Sequence, residues 1–132
     1  LTNKNNANTP MDGIPTVCIV DDDEAVRDSL RLLLEAEGFM ARTFTSLPVV
    51  LTRFRPPQKS CLLVELQPPI EHTVDMLVQF RRSWSHPRIV VMTGARDDDS
   101  AELVRRAGAS ALIEKPFDSL ELLRILSQLM PM

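Results

Sequence analysis

Cysteine is scarce in this chain: only Cys18 and Cys61 occur among 132 residues. Each sits inside an apolar run and no CxxC spacing exists, which excludes a disulfide framework and a zinc finger. The expectation is two buried, reduced thiols in a cytoplasmic protein. Histidine is as sparse, and His72 and His86 have no partner at metal-ligand spacing. Glycine numbers four, too few for a phosphate-cradling glycine loop, and no nucleophile elbow of a serine hydrolase is present. There is no basic excess: 15 Lys and Arg face 18 Asp and Glu, a net charge of −3. That balance argues against nucleic-acid binding by this segment. No apolar run approaches the roughly 18 residues of a membrane span. The polar, Asn-rich start lacks the pattern of an export signal.

What remains is an ordinary globular composition, 44% apolar and 25% charged. The length suits one domain with one core. Residues 1–13 lack hydrophobic periodicity and are expected to form a flexible tail, with the folded domain over 14–132.

From Pro15 onward, short apolar runs alternate with helical patterns. Thr16 to Val20 is a β-branched run that stops at Asp21, Asp22 and Asp23. Asp23 suits an N-cap, and Val26, Leu30, Leu33 and Leu34 form one apolar stripe ending before Gly38. Phe39 to Phe44 is a weaker strand. Ser46 suits the cap of a short helix with Leu47, Val50, Leu51 and Phe54 on one side. Cys61 to Leu66 is apolar without alternation except at Glu65, as befits a strand covered on both faces. A helix is expected from Thr73 to Arg82, a strand from Ile89 to Met92, and a helix from Ser100 to Ala107. A last strand runs from Ala109 to Ile113, and Asp118 with Glu121 resembles a capping box before the final helix. Arg81-Arg82 and Arg105-Arg106 read as solvated faces. Five strand–helix units imply an α/β fold, a doubly wound parallel sheet with helices on both faces.

The strands end in polar groups: Asp21, Asp22 and Asp23 after the first, Glu65 in the third, Thr93 in the fourth, Lys115 after the fifth. In an open parallel sheet these ends share one edge, where ligands bind. Two like charges about 4 Å apart repel by roughly 4 kcal/mol at an effective dielectric near 20. Clustered carboxylates therefore call for a cation, either Lys115 or a hard divalent ion such as Mg²⁺.

The string Val20-Asp21-Asp22-Asp23-Glu24, the Thr93-Gly94 strand end, Gly108-Ala109 and Lys115-Pro116-Phe117 resemble the receiver domain of bacterial two-component response regulators. The likeness covers about residues 15–130 and is nearest the nitrogen-fixation and LuxR-type regulators. The resemblance implies a CheY-like sheet in the order 2-1-3-4-5 and a signalling module in place of an enzyme. It implies an acidic pocket at Asp21 and Asp22, and a phospho-acceptor position at Glu65. Thr93 and Lys115 become phosphate contacts, with Leu112 at the switch position. Mg²⁺ would be held by Asp22, Glu65 and the backbone carbonyl of Gln67. The implied partners are a sensor histidine kinase or another signalling protein, and a second copy through helix 4, strand 5 and helix 5. Any nucleic-acid contact would belong to an output domain outside these residues.

Three positions depart from the family pattern. Glu65 stands where an aspartate is usual, Leu112 where an aromatic is usual, and the loop Pro68–Thr73 lacks a glycine. A carboxylate shifted by about 1 Å can lose on the order of 10²-fold in rate. Glu65 is accordingly expected to be a poor phosphoryl acceptor, either a structural ion-pair partner of Lys115 or a partial imitation of the phosphorylated state. The degenerate receiver, acting without phosphorylation, is the leading expectation. The standard Mg²⁺-dependent receiver and a Mg²⁺-dependent phosphohydrolase are the alternatives.

Overall fold

The computed structural model describes residues 13–94 and 97–131. Strands and helices alternate as β1 (Thr16–Val20), α1 (Glu24–Ala36), β2 (Met40–Phe44), α2 (Leu47–Arg53), β3 (Ser60–Glu65), α3 (Ile70–Ser83), β4 (Arg88–Thr93), α4 (Asp98–Arg106), β5 (Ala111–Glu114) and α5 (Ser119–Leu129). The strands make one parallel sheet in the order β2-β1-β3-β4-β5. Of the tail expected over 1–13, residues 1–12 lie outside the described residues.

Strand parity divides the core into two layers. Cys18, Val20, Leu62, Val64, Ile89 and Val91 face Leu47, Val50, Leu77, Phe80 and Val104 of α2, α3 and α4. Their neighbours Val17, Ile19, Cys61, Leu63, Val90 and Met92 face Leu30, Leu34, Leu122 and Leu126 of α1 and α5. The period of two along a strand produces this sorting. It also puts Cys18 and Cys61 on opposite faces, where both are buried, free thiols. Burial pushes the Cys61 thiol up to about 12, and Cys18 is raised for the same reason.

The helix ends show where local chemistry prevails. Asp23 caps α1 by accepting from the Ala25 amide at 2.9 Å. Gly38, at φ 94°, then closes the helix in the left-handed region. Asp118 caps α5 through the Leu120 amide.

Five expectations need correction. Ser46 stands at the N-cap position of α2 with extended backbone, but its side chain makes no capping hydrogen bond. Helix α3 begins at Ile70, three residues before Thr73, because the chain turns helical directly after Pro69. Helix α4 starts at Asp98, since Asp97 takes the cap and receives both the amide and the hydroxyl of Ser100, at 2.8 and 3.0 Å. Strand β5 begins at Ala111 because Ala109 still closes α4, its amide donating to the Val104 carbonyl. Arg81 is no solvated face. Its guanidinium donates to the carbonyls of Trp84, Ser85, Pro87 and Gly108, fastening the end of α3 to the turn after α4. Gly108 makes room for it, at φ 110°, where a Cβ would lie 2.9 Å from Arg81 Nε.

Candidate functional site at the carboxyl edge of the sheet

The parallel strands deliver their carboxyl ends to one edge, and the polar residues collect there. Directly after β1, Asp21 has a fully buried side chain. Its Oδ1 accepts from the Asp23 amide at 2.9 Å, and its own carbonyl accepts from Arg27 Nη1 at 2.7 Å. Arg27, on the first turn of α1, thus pins the acidic turn from behind. Glu65 closes β3. Thr93 closes β4, 4% exposed, and its carbonyl accepts from the Lys115 amide at 2.7 Å.

Lys115 joins two of these ends. Its ammonium donates to Asp21 Oδ2 at 2.8 Å and to Glu65 Oε2 at 3.0 Å. Burial by itself lowers the Lys115 pKa, yet the hydrogen bonds and charges of Asp21 and Glu65 outweigh burial, and the net shift is upward. The other oxygen of Glu65 is also engaged, since Oε1 accepts from the Gln67 side-chain amide at 3.0 Å. The Gln67 backbone carbonyl accepts from the Thr73 hydroxyl at 3.3 Å. A cavity of about 70 Å³ opens beside these groups, with Asp22, Glu65, Gln67 and Thr73 in its lining.

One carboxylate oxygen from each of Asp21, Asp22 and Glu65 lies within 4.8 Å of the other two. Three carboxylates against one ammonium leave two negative charges in excess. The donors are all hard oxygens, the set that suits Mg²⁺, and a divalent ion would balance that excess. The residues present therefore fit such an ion.

Four of the residues singled out from the sequence, Asp21, Asp22, Glu65 and Lys115, meet in space. Thr93 shares their edge through its backbone bond to Lys115. Leu112 stands apart, within β5 opposite Val91, half-buried against the α2–α4 layer. It lines a groove between α4 and β5 with Ala101, Val104 and Ala109. His72 is exposed, and His86 meets the carbonyls of Pro56 and Pro57, remote from any metal-like cluster among the described residues. Sequence reasoning missed Arg27 and Thr73. A long cation on the first turn after three acids was a signal for Arg27. Thr73 was hidden by its resemblance to a helix start.

Comparison with known proteins gives one answer. The family described as response regulator receiver domain matches residues 17–127. The transcriptional regulatory protein FixJ of Azorhizobium caulinodans is 33% identical over 102 residues, covering 77% of this chain and 48% of that protein. The sensory transduction protein RegX3 of Mycobacterium tuberculosis is 34% identical over 109 residues, covering 82% of this chain and 47% of that protein. The chain thus spans about half the length of these relatives. Among solved structures, FixJ-N superposes with a TM-score of 0.77 at 29% identity, covering 91% of this chain and 95% of that one. A response regulator from Thermotoga maritima shares the fold, with a TM-score of 0.81 at 22% identity and coverage of 90% and 99%. Among the described residues no helix is long and apolar enough to cross a membrane. With its sheet order, its acidic edge and its lysine bridge accounted for, the chain belongs to the response regulator receiver domains, the signalling modules of two-component systems.

Proposed function

We propose that this receiver is degenerate at its phosphoryl-accepting position and works as a phosphorylation-independent interaction module. The domain comprises residues 14–132, acts in the cytoplasm, and has Glu65 at the acceptor position. One observation carries the reading: both oxygens of the Glu65 carboxylate are engaged, Oε2 by Lys115 and Oε1 by Gln67. Phosphoryl transfer needs an acceptor oxygen placed for in-line attack. Glutamate is one methylene longer than aspartate, and here its carboxylate rests on Lys115, at one of the phosphate-contact positions. One charge and two oxygens imitate a phosphoryl group only in part.

In this reading Asp22, Glu65 and the Gln67 carbonyl hold Mg²⁺ when it binds, and the ion offsets the excess carboxylate charge. Asp21 keeps Lys115 in place, Thr93 and Lys115 are the phosphate-contact positions, and Leu112 fills the switch position without an aromatic ring. The interaction surface is the face made by α4, β5 and α5, where Leu103 and Leu120 are exposed. Its occupants are a sensor histidine kinase, another signalling protein or a second copy of the chain.

The retained Asp21, Asp22 and Lys115 favour a standard Mg²⁺-dependent receiver as the second reading. Incubation with acetyl phosphate and Mg²⁺, followed by intact-mass measurement, separates the two. The degenerate reading expects no phosphoryl adduct on the native protein and an adduct on Glu65→Asp. A stable adduct on Glu65 overturns it.

A further inference from the structure

Thr73 is 4% exposed near the start of α3. Its hydroxyl reaches back six positions to the Gln67 carbonyl at 3.3 Å. It lines the same cavity as Asp22 and Glu65. Gln67 is anchored a second time, because its side-chain amide donates to Glu65 Oε1 at 3.0 Å. The loop has no glycine at any position from Pro68 to Thr73. A glycine would supply no hydroxyl donor to this carbonyl. A carbonyl oxygen carries two lone pairs. Thr73 occupies one and leaves the other for a cation.

We propose that Thr73 is a positioning residue for the divalent cation: its hydroxyl fixes the Gln67 carbonyl toward the space it shares with Asp22 and Glu65. The inference rests on those three groups being the cation's protein ligands, and not on the phosphorylation state of Glu65. Hydrogen bonds to a ligating group orient it, and losing one typically costs about 10- to 100-fold in metal affinity. At 3.3 Å the Thr73 bond is long for a hydroxyl donor, so the expected loss sits at about tenfold, the lower end of that range.

The test is a calorimetric Mg²⁺ titration of the full chain as wild type, Thr73→Val and Thr73→Ser, with metal-free melting temperatures recorded alongside. Valine keeps the branched shape and removes the hydroxyl, whereas serine keeps the hydroxyl. The expected result is a Kd about tenfold higher for Thr73→Val, with Thr73→Ser within about twofold of wild type. If Thr73→Val does not fold, Thr73→Gly takes its place with the same expectation. The proposal is overturned if wild type takes up no Mg²⁺, if the hydroxyl-free variant binds as tightly as wild type or tighter, or if Thr73→Ser is as weak as Thr73→Val. A phosphoryl adduct on Glu65 would overturn the degenerate reading and leave these affinities standing. Conversely, equal affinities would leave the mass result intact.

Discussion

Lys115 Nζ lies 3.0 Å from Glu65 Oε2 across 50 positions of sequence, and the same nitrogen lies 2.8 Å from Asp21 Oδ2. The two acids differ in their surroundings. The Asp21 side chain is fully buried, whereas that of Glu65 is 22% exposed. Removing the shared lysine therefore strands one carboxylate in the interior and the other at a wet rim.

Lys115→Met is expected to destabilise the protein by about 3 kcal/mol, the scale for leaving a buried charge unpaired. Glu65→Gln should cost less than about 1 kcal/mol, because water screens that half of the bridge and the loss relieves repulsion among the acids. Urea denaturation of both variants checks the order. Equal losses would mean that Asp21 does not depend on Lys115.

Alkaline pH should erase the bridge. The folded-state pKa of Lys115 is raised above its ordinary 10.5. Its stabilising share is therefore complete below 10.5 and is lost as pH rises through the higher folded value. The buried thiols, also raised, weaken the fold over alkaline pH as well, so the informative quantity is a difference. Melting temperatures of wild type and Lys115→Met should converge as pH climbs above 10.5.

Acid pH should release the start of α4. Hydrogen bonds from the Ser100 amide and hydroxyl hold the Asp97 carboxyl below its ordinary 3.8. The carboxylate's advantage is present above 3.8 and lost as pH falls through the lower folded value. Asp97→Ala should melt lower than wild type at neutral pH. The gap should close in strong acid.

Arg81 and Gly108 should show coupled energetics. Arg81→Ala frees four carbonyls from a charged donor and is expected to cost about 2 kcal/mol. Gly108→Ala forces a Cβ to within 2.9 Å of Arg81 Nε at φ 110°, which should cost more than about 1 kcal/mol. With the guanidinium already gone the collision disappears and only backbone strain remains. The double variant should therefore lose less than the two single losses added, as a denaturation cycle will read.

Neither thiol should react with an aromatic disulfide reagent in the native protein. Both are buried, and on opposite faces of the sheet. Two equivalents should appear in urea.

Strands whose residues are hydrophobic for their own local reason were plain from the sequence. Thr16 to Val20 and Cys61 to Leu66 are apolar runs interrupted only by Thr16 and Glu65, and a strand covered on both faces demands that pattern. The acidic edge was legible because Asp21, Glu65, Thr93 and Lys115 each end or follow such a run. Arg81 was not legible, because nothing in its helical neighbours reports the carbonyls that converge on it from two loops. The start of α3 was hidden for a related reason. Ile70, Glu71 and His72 carry no helical stripe, so Thr73 drew the boundary. The Thr73–Gln67 bond depends on how the loop folds back over six positions, which periodicity cannot express.

Strands β3 and β4 lie between β5, the outermost member on its side, and β1. The arm of Lys115 is thus a lashing drawn across the mouth of the sheet, from the rim strand to an interior one. The rim strand is therefore held to one three places inward by a side chain as well as by the backbone ladder between them.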